Sequence, residues 1–330
     1  MKFDIEIPTC REGVFVPEHF AGPAAIAKTV VEAERLGYYA VWATDFLAPT
    51  PQYGIPADVT PNWYEALISL AYCAALTKTI MLGTGVLMAP FRDPIILAKQ
   101  AATLDCFSNG RFLLGLGLGM CRDEYEAVHP RDTKARRGTL LDECIEVMRL
   151  VCAEHAGTVE YTGECYEFKA IRLDPKPVQK LLPIYVPGRT PEALERALKF
   201  DLGIMIGAAQ AKERFDALRA VAEASGRDAA AVDVIAEGEL RLASNRDTAI
   251  AAYTSSQQGK FRIGVRGAKL EAILATQWIG TPAEVIAKMN VAVRNGVRHF
   301  NVLHIAGDTM SERLEQMQMF SELVMPHVAA

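Results

Sequence analysis

Along the chain, short apolar runs that are typical of buried strands alternate with longer stretches whose apolar residues have helical spacing. Residues 79–87 and 108–119 contain short apolar runs bounded by glycine, and this is typical of strands that are covered on both faces. Between them, residues 93–107 have apolar positions at helical spacing, with a carboxylate and a proline at the start. The middle of the chain therefore predicts a strand, helix and strand unit.

The same alternation continues on both sides of this unit. Strands are predicted at residues 3–9, 38–42, 79–87, 108–119, 183–186, 203–206, 232–243 and 299–305. Helices are predicted at residues 23–36, 65–77, 93–107, 136–152, from 191 onward, and at 211–224, 246–257, 281–295 and 311–324. Because eight parallel strands close into a cylinder without free edges, the pattern predicts a single (β/α)8 barrel over residues 1–330. An open doubly wound sheet is the alternative.

Three segments depart from this alternation, and we expect them to be insertions. Residues 49–61 are rich in proline and too long for a simple connection, so they are a candidate lid or pocket wall. Residues 158–180 alternate polar and aromatic positions and predict a surface hairpin. Residues 259–277 have a weak pattern with three cations, which is consistent with a lid that clamps an anionic cofactor tail or with a solvated loop.

Composition and charge narrow the class of partner. The chain has 330 residues, 50% hydrophobic content and a net charge of −5, so it can bury a large core and presents no basic stripe for nucleic acid or an anionic membrane. Seven cysteines without metal-binding spacing predict reduced thiols and no metal site. With no signal peptide or membrane span in the pattern, we expect a cytoplasmic protein that acts on a small-molecule substrate.

In a barrel, chemical groups collect where the strands end at the carboxyl side. The predicted strand ends carry Cys10, Asp45, residues 84–87, residues 118–120, residues 188–190, Gly207, Glu237 or Glu239, and His304. The glycines between 115 and 119 lack the spacing of a dinucleotide-binding loop that opens directly into a helix, so they are weak evidence for such a loop.

Several motifs together resemble the luciferase-like family of flavin-dependent oxidoreductases. They are GTGVL at 83–87, DPIILAKQAATLDCFSNGRFLLGLGLG at 93–119, DEY at 123–125, RRGTLLDE at 136–143, LDPKPVQ at 173–179 and GTPAEV at 280–285. The resemblance spans nearly the whole chain. It implies a (β/α)8 barrel that binds either reduced FMN, for oxygen activation, or the deazaflavin coenzyme F-420, for hydride transfer. It also implies a homodimer formed through barrel helices.

The resemblance assigns cofactor contacts to two places. The turn at residues 188–190 matches the position where the family holds the flavin phosphate, although an ordinary strand-to-helix turn would have the same sequence features. Gly85 and Val86 match a backbone bulge that lies against the flavin ring, although a buried glycine can also reflect tight packing. The implied cofactor-binding residues are Thr84, Gly85, Val86, Gly188, Arg189, Thr190 and Gly207.

Candidate acid–base groups are few. Asp45 matches an acidic position beside the ring, and His304 follows the last strand, although a lone histidine there is commonly structural. Phe46 stands where many members have a histidine, and Met120 stands where some deazaflavin-dependent dehydrogenases have a glutamate. The candidate substrate wall, whose members are equally consistent with core packing, comprises Trp42, Phe46, Tyr53, Trp63, Met120 and Trp278.

These features lead to three hypotheses. The first is a monooxygenase that uses reduced FMN, supplied by a separate flavin reductase, and oxygen on a small organic substrate. The second is a reductase or dehydrogenase dependent on coenzyme F-420. The third is a flavin-binding subunit that has lost catalysis, which the residues at positions 46 and 120 would explain.

Overall fold

Eight parallel strands close into a barrel in the computed structural model, which describes residues 1–48, 61–154 and 157–329. With all strands numbered in chain order, the barrel strands are β1 (Lys2–Glu6), β2 (Ala40–Ala43), β3 (Met81–Thr84), β5 (Phe112–Gly117), β8 (Ile184–Pro187), β9 (Gly203–Gly207), β10 (Val234–Leu242) and β12 (His299–Ile305). Closure is completed where β12 pairs with β1, placing Lys2 opposite His299. The prediction of a (β/α)8 barrel is confirmed.

Helices surround the barrel and alternate with its strands. They are α1 (Pro23–Arg35), α2 (Ala66–Leu76), α3 (Pro94–Ser108), α4 (Arg122–Val128), α5 (Arg137–Cys152), α6 (Pro191–Lys199), α7 (Ala211–Ala224), α8 (Arg246–Ser255), α9 (Gln257–Lys260), α10 (Leu270–Thr276), α11 (Pro282–Arg294) and α12 (Met310–Leu323). Asp93 caps α3 through the N–H groups of Ile95 and Ile96, as its position before a proline indicated. In the described part of the chain, no helix is long and apolar enough to cross a bilayer.

The remaining strands lie outside the closed barrel. A hairpin of β6 (Val159–Thr162) and β7 (Glu167–Ile171) occupies the second predicted insertion. The third is largely helical, with α9, a π-helical turn at Phe261–Val265 and α10. The sequence pattern missed α4 and the short strands β4 (Leu87–Met88) and β11 (Trp278–Gly280). The first predicted insertion lies, apart from Pro61, outside the described residues.

Large side chains fill the amino-terminal half of the barrel. The Trp42 and Tyr185 rings meet there at 5.7 Å between centroids, and Trp42 is 1% exposed. A Cβ at Gly83 would lie 2.3 Å from the Trp42 ring, and one at Gly203 would lie 2.3 Å from the Tyr185 ring. Both positions therefore require glycine, because each neighbouring ring occupies the space that a side chain would need.

A buried polar network links the same half of the barrel. Asp4 accepts hydrogen bonds from the indole N–H of Trp42 at 2.7 Å and from Nε2 of His299 at 2.5 Å. Nδ1 of His299 lies 3.5 Å from Asp233, which also accepts from the hydroxyl of Tyr185. Burial alone would lower the pKa of His299, but the charges of Asp4 and Asp233 outweigh it and raise that pKa to about 9.

This network predicts a pH-dependent stability. The pKa of His299 rises on folding from 6.5 to about 9, so the stabilisation, about 3 kcal/mol, is complete below pH 6.5 and is lost as the pH rises through 9. Urea unfolding between pH 6 and pH 10 measures it. The control is His299→Gln, whose stability should change less over this range. Equal pH slopes in both proteins would contradict the prediction.

One outer face is unusually apolar. α2 exposes Ile68, Tyr72 and Leu76 along one side, and α3, which packs against α2, exposes Ile96 and Phe107. Ile68 is 71% exposed and Phe107 is 72% exposed. Large apolar side chains that share one face are typical of a surface that another protein covers.

Candidate functional site

A cavity of about 340 Å³ opens at the carboxyl ends of the strands. This volume falls in the range of about 300–1,000 Å³ that is usual for small-molecule sites. The described residues lining it are Arg11, Thr44, Asp45, Phe46, Gly85, Val86, Met88, Gly117, Leu118, Gly119, Met120, Leu141, Val186, Pro187, Arg189, Thr190, Ala193 and Arg196. Three arginines, two threonines and one carboxylate provide its charged and hydroxyl groups.

One wall of the cavity is a backbone bulge between β3 and β5. Gly83 pairs with Leu113 and Leu87 pairs with Leu116, so β3 and β4 together contain one residue more than the facing strand. The peptide bond between Gly85 and Val86 is cis. The Thr84 hydroxyl donates to the Gly115 carbonyl at 2.8 Å and accepts from the Gly115 N–H at 2.9 Å, which fixes the base of the bulge.

Glycines on β5 make room for the bulge. A Cβ at Gly115 would lie 2.0 Å from the Thr84 carbonyl oxygen, and one at Gly117 would lie 2.6 Å from Cγ2 of Val86. The glycine run in this strand is therefore explained by close approach of Thr84 and Val86.

Asp45 is held in an ion pair. Its carboxylate accepts two hydrogen bonds from Arg92, at 2.7 and 3.0 Å, and one from the Met88 N–H at 2.9 Å. Arg92 also contacts Glu65 at 3.2 Å. Because Asp45 is 3% exposed and both of its oxygens are engaged, its evident role is to anchor β4 beside the bulge. The sequence had suggested a catalytic carboxylate at this position.

A second wall of the cavity is the turn between β8 and α6. Arg189 and Thr190 are exposed and line the cavity, and Thr190 caps α6 by accepting from the Ala193 N–H. Glu192 lies at the same helix start, where its own N–H and the Thr190 hydroxyl lower the pKa of its carboxyl. The backbone N–H groups at a helix start favour a nearby negative charge. Arg196, paired with Asp142, adds a second cation to this wall.

A polar cluster lies beside the cavity at the ends of β1 and β12. Nη1 of Arg11 donates to Glu6 at 2.6 Å and lies 3.0 Å from Nε2 of His304, while Nη2 donates to Thr44 at 3.3 Å. The charge of Arg11 and the hydrogen bonds of the cluster outweigh burial and lower the pKa of Glu6 to about 2. Arg11 thus links this cluster to the cavity that it lines.

His304 is oriented by this cluster. Its Nδ1 lies 3.0 Å from Glu6, so in the neutral tautomer Nδ1–H donates to Glu6 and Nε2 accepts from Arg11. Burial and the neighbouring guanidinium of Arg11 lower its pKa, which favours that neutral form. Both ring nitrogens are therefore engaged, and His304 does not line the large cavity.

Comparisons with known proteins identify the family. A family model described as luciferase-like monooxygenase matches residues 1–299. The chain belongs to this family. The predicted resemblance is therefore confirmed, and the chain is a flavin- or deazaflavin-dependent oxidoreductase.

Individual relatives of this luciferase-like chain represent both kinds of cofactor chemistry. It is 29% identical over 330 residues to an F420-dependent glucose-6-phosphate dehydrogenase of Kineococcus radiotolerans, with 94% of each chain covered. It is 31% identical over 175 residues to the oxygenase component of a flavin-dependent trigonelline monooxygenase of Acinetobacter baylyi, covering 53% of this chain and 45% of that protein. The solved structure of monooxygenase RslO1 from Streptomyces bottropensis has a TM-score of 0.79 at 24% identity, covering 100% of both chains, and supports the fold.

The luciferase-like barrel brings some of the predicted residues to the cavity and leaves others outside it. Gly85, Val86, Arg189 and Thr190 line it. Gly188 instead packs against Ile204 and Ile206, and Thr84 is bound to Gly115. Gly207 ends β9 without lining the cavity.

Only some of the residues predicted to form a substrate wall line the cavity. Phe46 and Met120 line the cavity, and Trp63 packs against Phe46 at 4.9 Å between ring centroids. Trp42 lies in the barrel interior, and Trp278 packs against Phe300 in the layer between barrel and helices, so neither faces the cavity. Both are core residues because their rings fill spaces beside glycines on neighbouring strands. Tyr53 lies outside the described residues.

Sequence patterns missed three residues that shape the site. Arg92 is 47 positions from Asp45, and no local motif connects them. Glu6 and Arg11 are near each other in sequence, yet the contact of Arg11 with His304 spans 293 positions and depends on barrel closure. The signal that was available is that Asp4 and Glu6 alternate with Phe3 and Ile5 on the first strand, which gives that strand a face of carboxylates.

The packing of Val86 on β5 predicts the effect of one added methyl group. In Gly117→Ala, the new Cβ would overlap Val86, so we expect a loss of about 1–3 kcal/mol in the free energy of unfolding. Urea unfolding measures this loss. Adding Val86→Ala should recover part of it, because the overlapping methyl groups are removed.

The matched control for this substitution is Gly264→Ala, whose Cβ would meet nothing within 4 Å. It should leave the unfolding midpoint nearly unchanged. If Gly117→Ala behaved like this control, the packing of Val86 would not be the reason for glycine at position 117.

Proposed function

We propose that the chain is a monooxygenase that uses reduced FMN and oxygen on a small organic substrate. The observation that carries the proposal is the state of Asp45, the one carboxylate among the described lining residues, which is locked by Arg92. Among the described residues that line the cavity, a hydride-transfer mechanism that needs side-chain protonation would find no free carboxyl or imidazole. Reduced flavin supplies oxygen activation as its own chemistry, which asks the protein mainly for positioning.

The lining residues fit a flavin. Arg189, the Thr190 hydroxyl and the start of α6 offer hydrogen-bond donors and positive charge to a phosphate. The backbone at Gly85 and Val86 lies across the cavity and presents a surface without a long side chain. A planar ring system would lie against this backbone while its phosphate is held at the β8–α6 turn.

The remaining wall would receive the substrate. Phe46 and Met120 are apolar, and Trp63, Phe15 and Phe261 form an aromatic cluster with Phe46 above the strand ends. Such a cover excludes water from the reacting groups, which strengthens electrostatic interactions in the site. We infer an organic substrate with an apolar surface, held between this cover and the cofactor.

Specific observations favour two alternative functions. Dependence on coenzyme F-420 is favoured by the relative from Kineococcus radiotolerans, whose match covers 94% of this chain. A flavin-binding subunit without catalysis is favoured by Phe46 and Met120, which replace ionisable groups at the cavity. A separate flavin reductase belongs to the proposal, since the relative from Acinetobacter baylyi is an oxygenase component.

Anaerobic binding tests the proposal against the first alternative. Photoreduced FMN and reduced coenzyme F-420 are titrated separately, and we expect tighter binding of FMN. Oxygen is then admitted, and the reoxidation rate of bound flavin should differ saturably from that of free flavin. Binding of coenzyme F-420 alone, with no protein effect on FMN oxidation, would reject the monooxygenase.

Substitution of the phosphate-binding arginine is the second arm of that test. Arg189→Ala should weaken FMN binding about tenfold or more, because a charge-assisted hydrogen bond is worth about 1.5–3 kcal/mol. Arg189→Lys should retain part of the affinity. The control is Arg227→Ala, which removes a surface arginine paired with Asp201 and should not affect FMN.

We also propose that two copies associate through the apolar face of α2 and α3. Ile68 and Phe107 are the most exposed large apolar residues of this face, and a two-fold axis would place each face against itself. Sedimentation should show a dimer that Ile68→Asp or Phe107→Asp dissociates. Val265→Asp, at an exposed apolar residue elsewhere, is the control. A monomeric native chain would refute the dimer.

A further inference from the structure

Glu237 is a partly buried carboxyl group on the inner side of the barrel wall, and the proposed function does not yet use it. It lies on β10, opposite Gly207 of β9 and Asn301 of β12. Ile235, two positions earlier, packs in the interior with Trp42 and Tyr185, so the alternation of a strand turns Glu237 inward as well. It therefore sits at the carboxyl-terminal side of the barrel, near the level of the cavity.

The surroundings of Glu237 differ from those of Glu6 and Asp45. Its oxygen Oε1 accepts from Nδ2 of Asn301 at 3.2 Å, and no lysine or arginine among the described residues forms an ion pair with it. Glu6 and Asp45 are each paired with an arginine. A carboxylate inside a barrel without a paired cation is costly, and accepting a proton removes that cost.

Asn301 provides the second observation. It is fully buried, and its oxygen Oδ1 has no hydrogen-bond partner among the described residues, although its Nδ2 group is bonded to Glu237. A buried amide oxygen without a donor is uncommon and costs free energy. A proton on the neighbouring carboxyl of Glu237 would give this oxygen a donor.

We propose that Glu237 binds and releases a proton near neutral pH, that its protonated form donates to Oδ1 of Asn301, and that an anion bound at Arg189 makes it hold this proton more firmly. Glu237 is thus the proton-storing group of the site, adjacent to the cavity and outside its lining. The coupling between Glu237 and an anion at Arg189 rests on the proposed function, because it takes Arg189 as the residue that holds the cofactor phosphate.

The charges around Glu237 give the direction of this coupling. Burial has the largest effect and raises the pKa of Glu237 to about 7, against the hydrogen bond from Asn301 and the charges of Arg189 and Arg11. Glu6 adds to the increase. A phosphate beside Arg189 offsets the positive charge that favours ionisation of Glu237, so the pKa rises further and binding draws a proton from the buffer.

The stored proton is tested first in the protein without ligand. Carbon-13 NMR of glutamate carboxyls, assigned by comparison with Glu237→Gln, should show Glu237 titrating with a midpoint near 7. Asn301→Leu should change that midpoint while leaving Glu239, which is paired with Arg262, unaffected. A midpoint at the ordinary value for glutamate would overturn the proposal.

The coupling is tested by calorimetry with oxidised FMN as the probe. Titrations at pH 8, in two buffers of different ionisation enthalpy, should show uptake of a fraction of a proton per FMN by the native chain. Glu237→Gln should abolish the uptake, and the matched control Glu239→Gln should retain it.

The two tests distinguish a failure of this inference from a failure of the proposed function. Equal uptake in the native chain and in Glu237→Gln would refute the coupling even if FMN binds. If FMN does not bind at all, the proposed function and the coupling both fail, while the carboxyl titration still decides whether Glu237 stores a proton.

Discussion

The contact between Val86 and the glycines of β5 is the constraint on which the cavity depends. An extra residue on one strand must be accommodated against its neighbour, and the neighbour does so by having no side chain at two inward positions. The bonds of Thr84 to Gly115 and of Asp45 to the Met88 N–H then hold both ends of the bulge.

The carboxylates and arginines near the cavity are distributed unevenly around it. Along the wall formed by β1, β2 and β3, each inward carboxylate near the cavity has its own arginine, Arg11 for Glu6 and Arg92 for Asp45. At the turn after β8, which also lines the cavity, Arg189 forms no ion pair with a described carboxylate. The positive charge that remains available to a ligand is therefore concentrated at the β8–α6 turn, which gives an anionic ligand one preferred orientation.

The sequence predicted the barrel well because its signals are local. Strand runs, capping residues such as Asp93 and Thr281, and glycine stops are all visible within a few positions, and they agree with the observed elements. The side chains that face the cavity were harder to identify, since inward and outward positions of a buried strand are both apolar. Trp42 and Trp278 were misplaced for this reason, and the Arg92 and Arg11 contacts required the register of the closed barrel.

The two walls of the cavity differ in how freely they can vary. The bulge wall consists of backbone and glycine, where a methyl group already meets another atom, so its sequence is nearly fixed by steric demand. At Phe46 and Met120 the cavity is lined by side chains; Phe46 packs against Trp63, and Met120 is exposed. Changes of side-chain size should therefore be tolerated more readily at Phe46 and Met120 than at the glycines beside the bulge.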